Sequence, residues 1–201
     1  MKTLRSWLVL TLVVLLGAGT AAPAFAKQLE GIPLVWKPTT QIGEAGAIDL
    51  TGIGQTRVRV EGLTDSRENA SLIGENREAK TPKTVSTNDN VAAWCTSRLK
   101  ALLGQFGLNV VEDRAEVTIT GEVKRFFVAE THVYEGDVRL KIEVMDKDGK
   151  TLWSGLTGGT VNRFGRSYKA ENYYEALSDS FLGAVQNLFQ NDGFREALKR
   201  H

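Results

Sequence analysis

The stretch from Tyr134 to Val144 constrains the fold most: Tyr134, Gly136, Val138, Leu140, Ile142 and Val144 alternate without a slip with Glu135, Asp137, Arg139, Lys141 and Glu143. Such a period of two fits only a strand with one packed and one wet face. Asp148-Gly149, between Asp146 and Lys150, supplies residues that tolerate positive φ, so a tight hairpin leads into a strand from Thr151 to Arg163. Upstream, Val117, Ile119, Gly121 and Val123 alternate in the same way, and the phase slips at Arg125-Phe126-Phe127, the mark of a bulge. A further strand is read over Thr56 to Leu63, where Val58 and Val60 alternate with Arg57, Arg59 and Glu61.

Two helices complete the pattern. Val91, Cys95, Leu99, Leu102 and Phe106 recur at helical spacing, with Thr87 or Asn88 as the expected N-cap and Gly107 as the stop. Tyr174, Leu177, Phe181, Ala184, Val185 and Leu188 form the stripe of a second helix, started by a capping box at Asn172 and stopped at Gly193, with a frayed helical tail beyond. The predicted fold is α+β: a mainly antiparallel sheet with two helices on one face, in the order β-α-β-β-β-α.

The first 26 residues read as a cleavable export signal, with Lys2 and Arg5 before an apolar run and Ala24-Phe25-Ala26 as the cleavage site. The expected division is therefore a signal at 1–26, an extended arm at 27–55 that adds at most an edge strand, and one domain at 56–201. Cleavage would leave 175 of the 201 residues with a formal charge of −1, since the leader holds two of the 25 basic residues and none of the 24 acidic ones. A near-neutral domain argues against a nucleic-acid binder held by a basic field. The expected location is periplasmic, with peripheral membrane association allowed, and no later segment is apolar enough to span a membrane.

No residue set amounts to a catalytic or metal site, and no cofactor is expected. Gly149-Lys150-Thr151 lacks the upstream glycine of a phosphate-binding loop, and Asp146-Lys147-Asp148-Gly149 lacks the closing glutamate of a calcium loop. The single cysteine, Cys95, lies on an apolar stripe and reads as core. His132 and His201 belong to no zinc set. The mixed charges of the strands, Arg57, Arg59 and Glu61 with Arg139, Lys141 and Glu143, read as a solvated face of cross-strand pairs that could also dock a partner. Residues 64–87 are polar and contain Pro82, and they read as one long loop pinned by Leu72-Ile73. Loops of that length are often functional, so Arg67, Glu68, Glu75 and Arg77 are its candidate binding residues.

The strand at 56–63 followed by Asp65-Ser66-Arg67 and Ile73-Gly74 resembles the D-x-R and I-G signature of the YajG-like family of bacterial envelope lipoproteins. The stretch from Tyr173 to Phe181 also resembles that family's closing helix. The resemblance implies an α+β domain related in shape to auxiliary lipoproteins of envelope transport systems, and no enzymatic activity. It assigns Asp65, Arg67, Ile73 and Gly74 to a motif, and Asp65 and Arg67 read first as groups that fix the loop to the strand end. The chain departs from those relatives in having no cysteine at the cleavage site.

Three functional classes follow. The first is a non-enzymatic binding or assembly module whose partner is an envelope protein or membrane complex, with a homo-oligomer also compatible. The second is a carrier of an apolar, lipid-like ligand between sheet and helices, motivated by Phe126, Phe127, Tyr134, Trp153, Tyr174 and Phe181. The third, an enzyme, lacks its acid-base set.

Overall fold

The computed structural model describes residues 28–40, 48–78, 80–165 and 167–199; the expected signal lies outside them. A seven-stranded sheet is built from β1 (Arg57–Asp65), β2 (Leu72–Asn76), β3 (Lys83–Ser86), β4 (Asn109–Val110), β5 (Val117–Glu130), β6 (Val133–Asp146) and β7 (Thr151–Phe164). Helix α1 (Val91–Gln105) precedes β4, and α2 (Ala170–Phe189) and α3 (Asp192–Lys199) close the chain.

The class is α+β, but the expected order and helix count are corrected. Among the described residues the observed order is β-β-β-α-β-β-β-β-α-α, with three helices. β5 is the spine. One edge takes β6 antiparallel along its length, and β6 takes β7. The other edge takes β1 beside residues 117–123 and then β2 beside residues 128–130, both parallel. The sheet is therefore mixed, since β4 also joins β1 in parallel and only β2–β3 adds another antiparallel pair. The hairpin β2–β3 replaces most of the long loop expected over 64–87. Its strands, LIGEN and KTVS, are five and four residues long, too short and too polar for a period to show.

The bulge anticipated near Arg125 is present as a register shift between Val123 and Arg125. The hairpin at Asp148-Gly149 is present too: Asp146 Oδ1 accepts from the Asp148 and Lys150 amides, and Gly149 has φ +79°. Both early helix boundaries move. Asn90, rather than Thr87 or Asn88, caps α1 by accepting from the Ala93 amide at 2.9 Å. α2 starts at Ala170 after Lys169, two residues before the expected box, and Tyr173 rather than Tyr174 is fully buried. Gly193 falls inside α3, whose Phe194, Ala197 and Leu198 are buried, so the tail is a packed helix.

The helices cover one face of the sheet. Trp94 of α1 meets Phe126 of β5 at 5.4 Å and Phe181 of α2 at 5.5 Å between centroids, so both long helices join the sheet at one aromatic cluster. The space between sheet and helices, where a carried apolar ligand would sit, holds these rings together with fully buried Leu99, Leu140 and Ile142. α2 approaches β6 and β7 so closely that a Cβ on Gly159 would press into the Ser180 carbonyl and the Ala184 amide.

The expected arm is a fitted strap. It bridges β3 through Leu29 and Val85, with Ile32 and Leu29 main chain bonded to Ser86. It then crosses the helices, where Trp36 packs at a tilt against Trp94. Residues on α2 hold its far part: Ser178 Oγ accepts from the Lys37 amide, and Asp179 accepts from the Thr39 amide, the Thr39 hydroxyl and the Thr40 amide. Among the described residues no helix is long and apolar enough to cross a membrane.

Candidate functional site

The end of β1 carries the Asp65-Ser66-Arg67 motif. Asp65 receives Arg67 Nε at 2.9 Å and the outer guanidinium nitrogen at 2.7 Å, a two-pronged pair. The same guanidinium also donates to the carbonyls of Ala70, Leu72 and Phe126. Arg67 thus joins the 66–71 turn to both β2 and β5, and its side chain is only 8% exposed. Burial raises the Asp65 pKa, but the Arg67 hydrogen bonds and charge outweigh it and hold the carboxyl below its usual range. Ile73 is fully buried, and Gly74 lies under Tyr173: a Cβ there would sit 2.6 Å from the ring.

The other loop candidates lie outward. Glu68 and Arg77 are exposed and Glu75 is half-buried, with Arg77 Nε on Glu75 at 2.7 Å. The structure brings this loop to the β5 bulge. The guanidinium of Arg77 lies 6.0 Å from the Phe127 ring centroid and that of Arg125 lies 5.2 Å from it, so two cations lie over the half-buried ring. Arg125 is fixed by Asp137 at 2.6 Å. Next to them opens a cleft of about 330 Å³ lined by Ser66, Glu68, Asn69, Lys124, Arg125 and Phe127, with Arg67 in its wall. Arg125 was readable only as part of a phase slip, and Phe127 as that or as one aromatic of an apolar core, because their meeting with Arg77 depends on β2 pairing with the far end of β5.

The bare face continues as a lattice of opposite charges. Arg59 pairs with Glu61, Lys124 with Glu122, Lys141 with Glu143 and Glu122, and Arg139 with Asp137. Lys141 Nζ reaches Glu143 at 2.7 Å, and the charge and hydrogen bond of Lys141 hold the Glu143 carboxyl below its usual range.

A second carboxylate went unread in the sequence. Glu130 is fully buried, and its Oε1 and Oε2 accept from the hydroxyls of Tyr134 at 2.7 Å and Tyr173 at 2.8 Å, with the Tyr168 amide at 2.9 Å. Burial first, then the hydrogen bond to Glu130, pushes both phenols above their usual range. All three donors are intramolecular, so the network ties the β5–β6 turn to the start of α2. Cys95 is fully buried, which pushes its thiol well above its ordinary value. Among the described residues no group of His, Cys, Asp and Glu could hold a metal ion.

No protein-family model matches the chain, and no curated protein matches it. Solved structures do. A DUF330-family protein from Xanthomonas campestris is similar with a TM-score of 0.52 and 13% identity, over 67% of this chain and 82% of that one. An uncharacterised protein is similar with a TM-score of 0.51 and 8% identity, over 82% and 98%. A lipoprotein from Neisseria meningitidis is a weaker likeness, with a TM-score of 0.36 and 11% identity over 56% and 88%. The likeness to the first two is one of fold. It does not show membership of the YajG-like family.

Proposed function

We propose that this chain is a non-enzymatic binding or assembly module of the bacterial periplasm, accessory to an envelope transport system or outer-membrane structure, and of YajG-like type. The observation that carries the reading is the Arg77–Phe127–Arg125 stack beside the cleft on the uncovered face. An aromatic ring contacted by two arginines at the rim of a cleft has the composition of an interface anchor. Both arginines are already fixed by Glu75 and Asp137, so little side-chain freedom is lost on docking. The buried carboxylate of Glu130 and the motif pair Asp65–Arg67 are saturated by structural bonds, which supports binding over catalysis.

The partner is a protein surface carrying acidic groups against the two arginines and an apolar group against Phe127. The test is crosslinking in the native envelope with mass spectrometry of what is captured, comparing the native chain with the Arg77→Glu, Arg125→Glu double variant. Recovery of one envelope complex by the native chain and its loss in the variant, at unchanged melting temperature, is the expected result. Equal recovery by both counts against the reading.

A further inference from the structure

The sheet has three outer edges, and they are treated differently. β4 is two residues long, too short to template another strand. β3 begins with Lys83 and is covered by the strap through the Leu29–Val85 bridge. β7 has neither protection. It is 14 residues long, carries no charged residue or proline over residues 151–162, and among the described residues pairs only with β6. Its one charge, Arg163, is turned to Glu175. Natural sheets guard long edges with charge, proline, brevity or a covering segment, because the unpaired amides and carbonyls otherwise recruit a strand. The two large apolar side chains most exposed on the described surface are also on this strand, Leu156 at 71% and Phe164 at 90%.

We infer that β7 pairs antiparallel with β7 of a second copy, across a two-fold axis at Thr160. The register follows from the positions of the exposed groups. Leu156 and Phe164 are equidistant from Thr160 and stand on the same bare face, opposite Lys141 and Val133 of β6. With Thr160 opposite its own counterpart, Leu156 of each copy lies opposite Phe164 of the other, and two apolar cross-strand pairs form at once. The phase of the main chain agrees. The Gly158 carbonyl is turned away from β6 to accept Asn187 Nδ2 at 2.8 Å, which places the amides and carbonyls of the even-numbered residues on the free side. Those are the residues paired in this register, and the Gly158 carbonyl keeps a second lone pair for the partner strand. The neutral edge meets itself without like-charge repulsion. A two-fold contact uses the one open edge of each copy, so assembly stops at two.

Sedimentation equilibrium of the full chain is expected to show a dimer at low micromolar concentration; a monomer throughout overturns the inference, and covers the case in which another protein's strand occupies this edge. The register is tested with cysteines, since native Cys95 is fully buried and does not compete. Opposed Cα atoms in a hydrogen-bonded antiparallel pair lie about 5.5 Å apart, within disulfide reach. Mild oxidation of Thr160→Cys is therefore expected to give a covalent dimer, whereas Asn162→Cys, which faces Gly158 of the other copy, is not. Equal crosslinking of the two, or the reverse order, overturns the register. Thr160→Lys brings two ammonium groups together on the axis and is expected to raise the dimer Kd at least tenfold with unchanged far-UV dichroism; an unchanged Kd contradicts the inference.

Discussion

The two faces of the sheet are made by alternate residues of the same strands, yet they hold different kinds of interaction. Along β6 the covered face carries Tyr134, Val138, Leu140, Ile142 and Val144, none more than 1% exposed. Each side chain buried in this way contributes about 1.5–3 kcal/mol. The bare face of that strand carries Asp137, Arg139, Lys141 and Glu143, tied to neighbours by exposed ion pairs that contribute little in water. Fold stability is therefore concentrated on one face, and the other is free to vary in chemistry without loss of structure. The helices and strap cover only the first, and the Phe127 surface opens on the second.

The comparison breaks most severely if α2 is lifted from the sheet. Gly159→Val places a branched side chain where the Ser180 carbonyl and Ala184 amide already lie. Overpacking typically costs about 1–3 kcal/mol and more where backbone blocks the added atoms, as here, and the expected outcome is a chain that is unfolded or molten by near-UV dichroism; a native melting curve would disprove the close approach. Next is Glu130→Ala, which strands two phenols and an amide in the interior. A loss of about 3 kcal/mol in urea unfolding is expected, at 1–3 kcal/mol for each unsatisfied buried group with partial relaxation. Asp179→Ala releases the strap at Thr39 and Thr40. A loss of about 1–2 kcal/mol is expected, with hydrogen exchange accelerating at those two amides while β5 and β6 keep their protection.

What the sequence showed follows the same division. The long strands β5 and β6 were legible because each has a covered and a bare face, so burial writes a period of two into the chain; the bulge after Val123 was legible as a break in it, and β7, whose apolar residues follow no such period, was legible only through the turn at Asp148-Gly149 that leads into it. The stripe of α1 was legible for the equivalent reason. β2, β3 and the strap were not, because their places are set by partners distant in sequence: β2 by the end of β5, and the strap by Ser178 and Asp179 some 140 residues away. Glu130 interrupts an apolar run and reads as a strand end, since only the fold brings Tyr134 and Tyr173 to it. The Asp65–Arg67 pair was visible as an i, i+2 motif, but the Phe127 stack needed the β2 pairing. Tyr173 was missed although the rest of the expected stripe of α2 is buried, because Tyr173 and Tyr174 stand four and three residues before Leu177 and both fit the helical spacing.

Two smaller effects sharpen the comparison by pH and by charge. The phenols of Tyr134 and Tyr173 are raised above the ordinary value of 10.0. In the unfolded chain they lose their protons near that value, whereas in the folded chain they keep them. Their contribution is therefore complete below about pH 10 and is lost as pH rises beyond it. Urea unfolding between pH 9 and 11 is expected to show a falling midpoint, with a shallower fall in Tyr173→Phe; equal slopes would detach the network from stability. The smallest effect belongs to the bare face. Lys141 pairs with Glu143 and Glu122 at the surface, and its partners raise its pKa through hydrogen bonding and charge. Because water and salt screen such pairs, Lys141→Ala is expected to leave the melting temperature unchanged at 0.15 M salt. A drop comparable to that of Asp179→Ala would mean that the lattice holds the sheet together, and the separation of stability to one face and recognition to the other would fail at the strand where it is drawn most sharply.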